Sequence, residues 1–121
     1  MSVSVGFTVF GSLASMKNRR IPLKSNPYKT IPNAQARAFR SDFLAQVPRS
    51  AMRCLGSLTR PLSVRVTVYY RDMRSDLDAA LVYDCLQEAG VVQNDRYIRH
   101  KIEIARIDKA NPRVEVEIWE Q

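Results

Sequence analysis

Apolar and polar residues alternate from the start of the chain. Val3, Val5, Phe7 and Val9 fall between Ser2, Ser4, Gly6 and Thr8, a period of two that predicts a half-buried strand over 3–10. Gly11, Pro22, Pro27 and Pro32 then punctuate residues 11–32, which read as one long loop. Ala36, Phe39, Phe43 and Val47 recur at helical spacing. They predict a helix over 33–46, capped by Asn33 and stopped by Pro48. Residues 49–62 show no period. Val64, Val66, Val68 and Tyr70 alternate with Arg65, Thr67 and Tyr69 and predict a strand over 63–70. Leu77, Leu81, Cys85 and Ala89, four apart, predict a second helix at about 77–89, terminated by Gly90. Ile98, His100, Ile102 and Ile104 mark one face of a strand within 97–107, and Val114, Val116 and Ile118 mark the last strand. The turn Asp108-Lys109-Ala110-Asn111-Pro112 between them predicts a hairpin.

The expected order is therefore strand, helix, strand, helix, strand, strand. That is an α+β pattern, with helices packed on one face of a mixed or mostly antiparallel sheet. The 121 residues, 45% hydrophobic and 26% charged, fit a single domain spanning 1–121. No repeat or compositional break divides them. The alternating N-terminus has its basic residues after the apolar stretch, not before it, so no targeting signal is expected. No apolar run reaches the length of a membrane span, and the expectation is a cytoplasmic protein that meets no membrane.

Charge changes this picture more than composition does. The net charge is +7, unevenly spread. Residues 1–40 carry seven basic residues and no acid, and residues 41–70 carry four arginines against Asp42 alone. Residues 71–121 carry eight basic and eleven acidic residues. Such asymmetry matches a polyanionic partner, nucleic acid above all. Lys17, Arg19, Arg20 and Lys24 in the loop, with Arg71 and Arg74 further on, are the candidate phosphate contacts. A solvated basic face is the plainer alternative. Tyr28, the loop's one aromatic, reads as a packing residue more readily than as a base-stacking platform.

Several chemistries drop out. Cys54 and Cys85 stand 31 positions apart, with His100 the only histidine, too few soft ligands for zinc. His100 reads as a strand residue and Cys85 as a small core residue. Neither a GxxxxGK[ST] loop nor a GxGxxG fingerprint is present, which speaks against a nucleotide cofactor. The carboxylates remain. Asp76 and Asp78, two apart between a strand and a helix, point the same way in an extended link. Asp95 follows the same helix. Carboxylate clusters suit magnesium or manganese, ions that drive phosphodiester hydrolysis. Helix capping and turn formation are the plain alternatives for these aspartates.

The stretch Ser75 to Asp95, SDLDAALVYDCLQEAGVVQND, resembles the RusA family of Holliday junction resolvases. Members show a basic run, then DLDN, a helix ending in D-x-L-x-x-A-G, and a D-D or N-D pair. Asp84, Leu86, Ala89, Gly90, Asn94 and Asp95 follow that order. The resemblance implies a homodimeric, magnesium-dependent endodeoxyribonuclease, phage or bacterial, with manganese able to substitute. It would bind four-way junction DNA and cut it by paired symmetric nicks during recombination and repair. Asp76, Asp78 and Asp95 would be the catalytic, metal-binding aspartates. Two departures stand out. Ala79 replaces the asparagine after DLD, and Val82 occupies the place of a family lysine four residues beyond the second aspartate. The Asp78-to-Asp84 interval is also two residues shorter. Lys101 and Arg74 are the candidate substitutes for the lysine, although the period makes Lys101 an exposed strand residue. The departures leave a competing expectation: a weak or inactive relative that binds junction DNA or RNA. A third is a phage structural or interaction protein whose basic loop meets an acidic protein.

Overall fold

The computed structural model describes residues 5–13, 20–23, 26–32 and 34–121, with side chains for 5–13 and 34–121. The strands are β1 (Val5–Phe10), β2 (Arg20–Leu23), β3 (Asn26–Pro32), β4 (Leu62–Tyr70), β5 (Ile98–Ile107) and β6 (Arg113–Glu120). The helices are α1 (Ala34–Gln46) and α2 (Ala80–Glu88), with single 3-10 turns at Arg49–Ala51 and Asp95–Tyr97. The fold is α+β, as the pattern predicts.

A four-stranded mixed sheet runs in the order β1-β6-β4-β5. β4 holds its centre because Val64, Val66 and Val68 are β-branched and wholly buried, the kind of residue that packs well on a pleat. It pairs antiparallel with β6 and parallel with β5. Parallel neighbours need a crossover, and α2 supplies it. This overturns the hairpin expected between β5 and β6, since β4 lies between them. Alternation identifies strands but not their partners. The connecting turn is held across the gap. The Asp108 amide donates to the Tyr70 carbonyl at 2.8 Å, and the Arg113 guanidinium reaches Asp108 at 2.8 Å while stacking 3.7 Å from the centroid of Tyr69.

The expected loop over 11–32 is corrected in part. β2 and β3 pair antiparallel as a separate two-stranded sheet. Both its strands are edges, where proline's missing N–H need not break a ladder. Lys17 and Lys24 fall outside the described residues, as does the cap expected at Asn33.

α1 buries Ala36, Phe39 and Phe43, and Val47 follows them into the core. Phe43 meets Phe7 of β1 edge-on at 5.7 Å, which seats the helix on the sheet face bearing Val5 and Val9. Phe43→Ala is expected to cost about 3–5 kcal/mol of stability, read as a lower denaturant midpoint. α2 begins at Ala80, three residues later than the spacing predicts. Leu77 precedes it and is substantially exposed. Leu81, Val82, Tyr83, Cys85 and Leu86 form its buried side. Gly90, at φ +77°, ends it in the left-handed conformation that glycine adopts without strain.

The register of β5 differs from its apparent period. Leu62 pairs with Ile98, but Ser63 pairs with His100, so Arg99 is an extra residue in the ladder. A bulge of this kind turns every following side chain to the opposite face. Ile98 therefore joins the core, whereas His100, Ile102 and Ile104 share the outer face with Ser63, Arg65 and Thr67. Lys101 and Glu103, opposite Val64 and Val66, come to the helix side instead. Among the described residues, no helix is long and apolar enough to cross a membrane.

Candidate functional site

The end of β4 and the entry to α2 are tied together by one hydroxyl. Tyr70 Oη donates to the Asp76 carbonyl and accepts from the Asp78 amide, each at 3.2 Å. Burial pushes the Tyr70 phenol above its ordinary pKa, so it remains a neutral hydroxyl with a proton to donate. Asp78 Oδ1 then accepts from the Ala80 amide at 3.1 Å, relieving one of the free donors at the helix start. The N-cap position itself falls to Ala79, which makes no side-chain cap bond, so the N-cap expected at Asp78 is corrected: its carboxylate holds the helix entry from one residue earlier.

At the other end of α2, residues 54–55 brace the return toward β5. The Cys54 amide donates to the Gly90 carbonyl at 2.8 Å, and Leu55 exchanges bonds with Val91 and Gln93. The next turn starts at Asp95, whose amide donates to Gln87 Oε1 at 2.9 Å. Asn94 caps this turn by accepting from the Arg96 amide at 3.0 Å.

Asp78, Asp84, Asp95, Lys101 and Glu103 line one cavity of about 310 Å³, with Tyr83 in its wall. Asp84 and Asp95 also line an adjoining groove with Gln87, Glu88 and Asn94. Asp78 and Asp95 therefore share a cavity, as their sequence positions allow. They approach it from opposite ends of a helix about 13 Å long at 1.5 Å per residue, with Asp84 between them. Among the described residues, no three His, Cys, Asp or Glu side chains close round a single point. Asp76 is exposed on the linker and is not part of the cavity lining. Arg71 and Arg74 are exposed on the same linker. Arg74 lies 4.0 Å from Asp72. Of the other predicted phosphate contacts, Arg20 starts β2, but its side chain, like Lys17 and Arg19, lies outside the described residues.

Three residues at the cavity are not apparent from spacing. Asp84 sits one turn beyond Ala80 on α2 and reads in sequence as part of a motif only. Tyr83 donates to Glu103 Oε2 at 2.7 Å, and burial together with that bond holds its phenol far above the usual pKa. Lys101 is an exposed residue of β5, as the period predicts, and it places its ammonium 4.1 Å from the centroid of the Tyr83 ring. Such a cation–π contact is worth about 0.5–1 kcal/mol at an exposed position, enough to bias the side chain toward the cavity. Val82, where the resemblance to RusA resolvases leads one to expect a lysine, is fully buried. The helix face carrying it belongs to the core.

His100 has a structural partner, Ser63 Oγ, 3.2 Å from its Nδ1. Cys85 is buried in the core and Cys54 is exposed, both unoxidised. No protein-family model matches the chain, and no curated protein matches it in sequence.

Proposed function

We propose that this chain is a magnesium-dependent, RusA-like endonuclease that resolves four-way DNA junctions by paired nicks. The observation that supports it best is the cavity shared by Asp78, Asp84, Asp95 and Lys101 in a chain of net charge +7. Carboxylates alone would repel a phosphodiester. Here a lysine stands among them, and basic residues dominate the N-terminal third.

The donor set fits magnesium, which keeps several waters and needs only one or two protein carboxylates. Asp78 and Asp95 would hold it, with Asp84 beside them in the lining and Asp76 on the adjoining linker. When bound, the ion supplies activated water and stabilisation of the leaving oxygen. The chain's own residues do the rest. Tyr70 fixes the entry to α2 so that Asp78 keeps its position. Gln87 fixes the backbone of Asp95. Lys101 neutralises charge developing on the phosphate. Arg71, Arg74 and the basic residues Lys17, Arg19, Arg20 and Lys24 hold flanking phosphates. A symmetric homodimer would present two such sites to the two opposing strands.

Cleavage of a labelled four-way junction, beside linear duplex and with or without magnesium, tests this. Paired nicks confined to junction and magnesium are expected. Buried Val82 favours a second reading, a module that binds the junction, or RNA, without cutting. Binding that weakens steeply with salt, with no nicks in magnesium or manganese, would select it.

A further inference from the structure

Beyond the carboxylate cavity lies an arginine-rich pocket of about 350 Å³. It is lined by Ser57, Leu58, Pro61, Arg96, Tyr97 and Arg99. Three features show that it is built rather than incidental. The Arg96 guanidinium lies 5.0 Å from the Tyr97 ring centroid and donates to the Tyr97 hydroxyl at 3.0 Å. Arg99 donates to the Arg96 carbonyl at 3.4 Å, so neither guanidinium is spent on a carboxylate among the described residues. Gly56, at φ +95°, passes so close that an added Cβ would stand 3.0 Å from the Tyr97 Cβ. The backbone at 56 thus passes close to Tyr97 and Leu62.

Leu58 adds the sharpest feature. Ser57 and Arg60 exchange backbone hydrogen bonds at 3.2 Å, which closes a tight turn and leaves Leu58 at its tip, 87% exposed. The turn raises this apolar side chain beside Arg96 and Arg99 in the pocket lining. It matches the wedges that DNA-binding proteins insert between bases. Arginine, aromatic and apolar walls together match an unstacked base with its phosphate. The pocket follows directly in sequence from Asp95, which lines the carboxylate cavity.

We propose that the Leu58 turn separates a base step and that the Tyr97–Arg96–Arg99 pocket receives the unstacked DNA nucleotide beside the cut phosphate. This rests on the nuclease reading only for the word "cut". The test is a four-way junction carrying 2-aminopurine at the crossover, bound in calcium so that no cleavage is required. Full-length wild type is expected to raise the fluorescence by unstacking the base. Leu58→Ser should abolish the rise, and Arg96→Ala should weaken junction binding by about tenfold. Leu58 and Arg96 are exposed at their tips, and unchanged thermal melting would show that both variants stay folded. No rise with wild type at saturation, or an equal rise with Leu58→Ser, would overturn the proposal. A wild-type protein that raises fluorescence in calcium but makes no nicks in magnesium would refute the nuclease and leave the pocket standing.

Discussion

Asp78→Asn is expected to remove magnesium-dependent nicking and to leave junction binding and folding intact. The separation follows from geometry. Asparagine keeps the Oδ1 acceptor that the Ala80 amide uses at 3.1 Å, so the bond at the helix entry is retained. The Tyr70 bond to the backbone amide at 78 involves no side chain and survives. Only the negative charge is lost. Partners that merely orient a ligand already cost 10- to 100-fold on removal, so a direct ligand should cost at least about a hundredfold. Single-turnover nicking in magnesium measures the loss, and a gel shift in calcium measures binding. Equal cleavage by variant and wild type would sink the assignment of Asp78 to the metal.

The sequence carries the site less evenly than the fold. The four positions whose spacing predicts α1, Ala36, Phe39 and Phe43 within it and Val47 just after it, are all buried, because a helix packed on one side keeps its period. β4 is equally plain, with Val64, Val66 and Val68 turned one way. β5 is not. The bulge at Arg99 costs no distinctive residue, yet it puts Lys101 opposite Val64 and His100 opposite Ser63, with both side chains still exposed. Any face assigned by simple alternation across it is wrong on one side. The β2–β3 pairing was hidden by prolines that an isolated two-stranded sheet tolerates. β6 reaches its place beside β4 through tertiary pairing that alternation does not encode. Asp78 and Asp95 could be nominated from spacing, whereas their sharing of a cavity depends on the α2 crossover. Asp84 became visible only when that crossover set it between them.

Lys101 carries the second large effect. Its place depends on the bulge and on Tyr83, not on a motif, so the substitution series must separate charge from packing. Lys101→Met keeps the stem against the Tyr83 ring and removes the charge. If the ammonium stabilises the phosphate, single-turnover nicking should fall by about 10²–10³-fold, with binding changed far less. Lys101→Arg should recover part of the rate, since a cation is restored in altered geometry. Val82→Lys is the informative control. It supplies the lysine that RusA resolvases carry there but puts an ammonium at a fully buried position. An unpaired charge there is expected to cost several kcal/mol of stability, and adding it to Lys101→Met should not rescue cleavage. Nicking by Lys101→Met at the wild-type rate would show that the cavity works without a lysine. Rescue by Val82→Lys would show instead that α2 turns its residue 82 toward the substrate, and that the strand lysine is not the replacement.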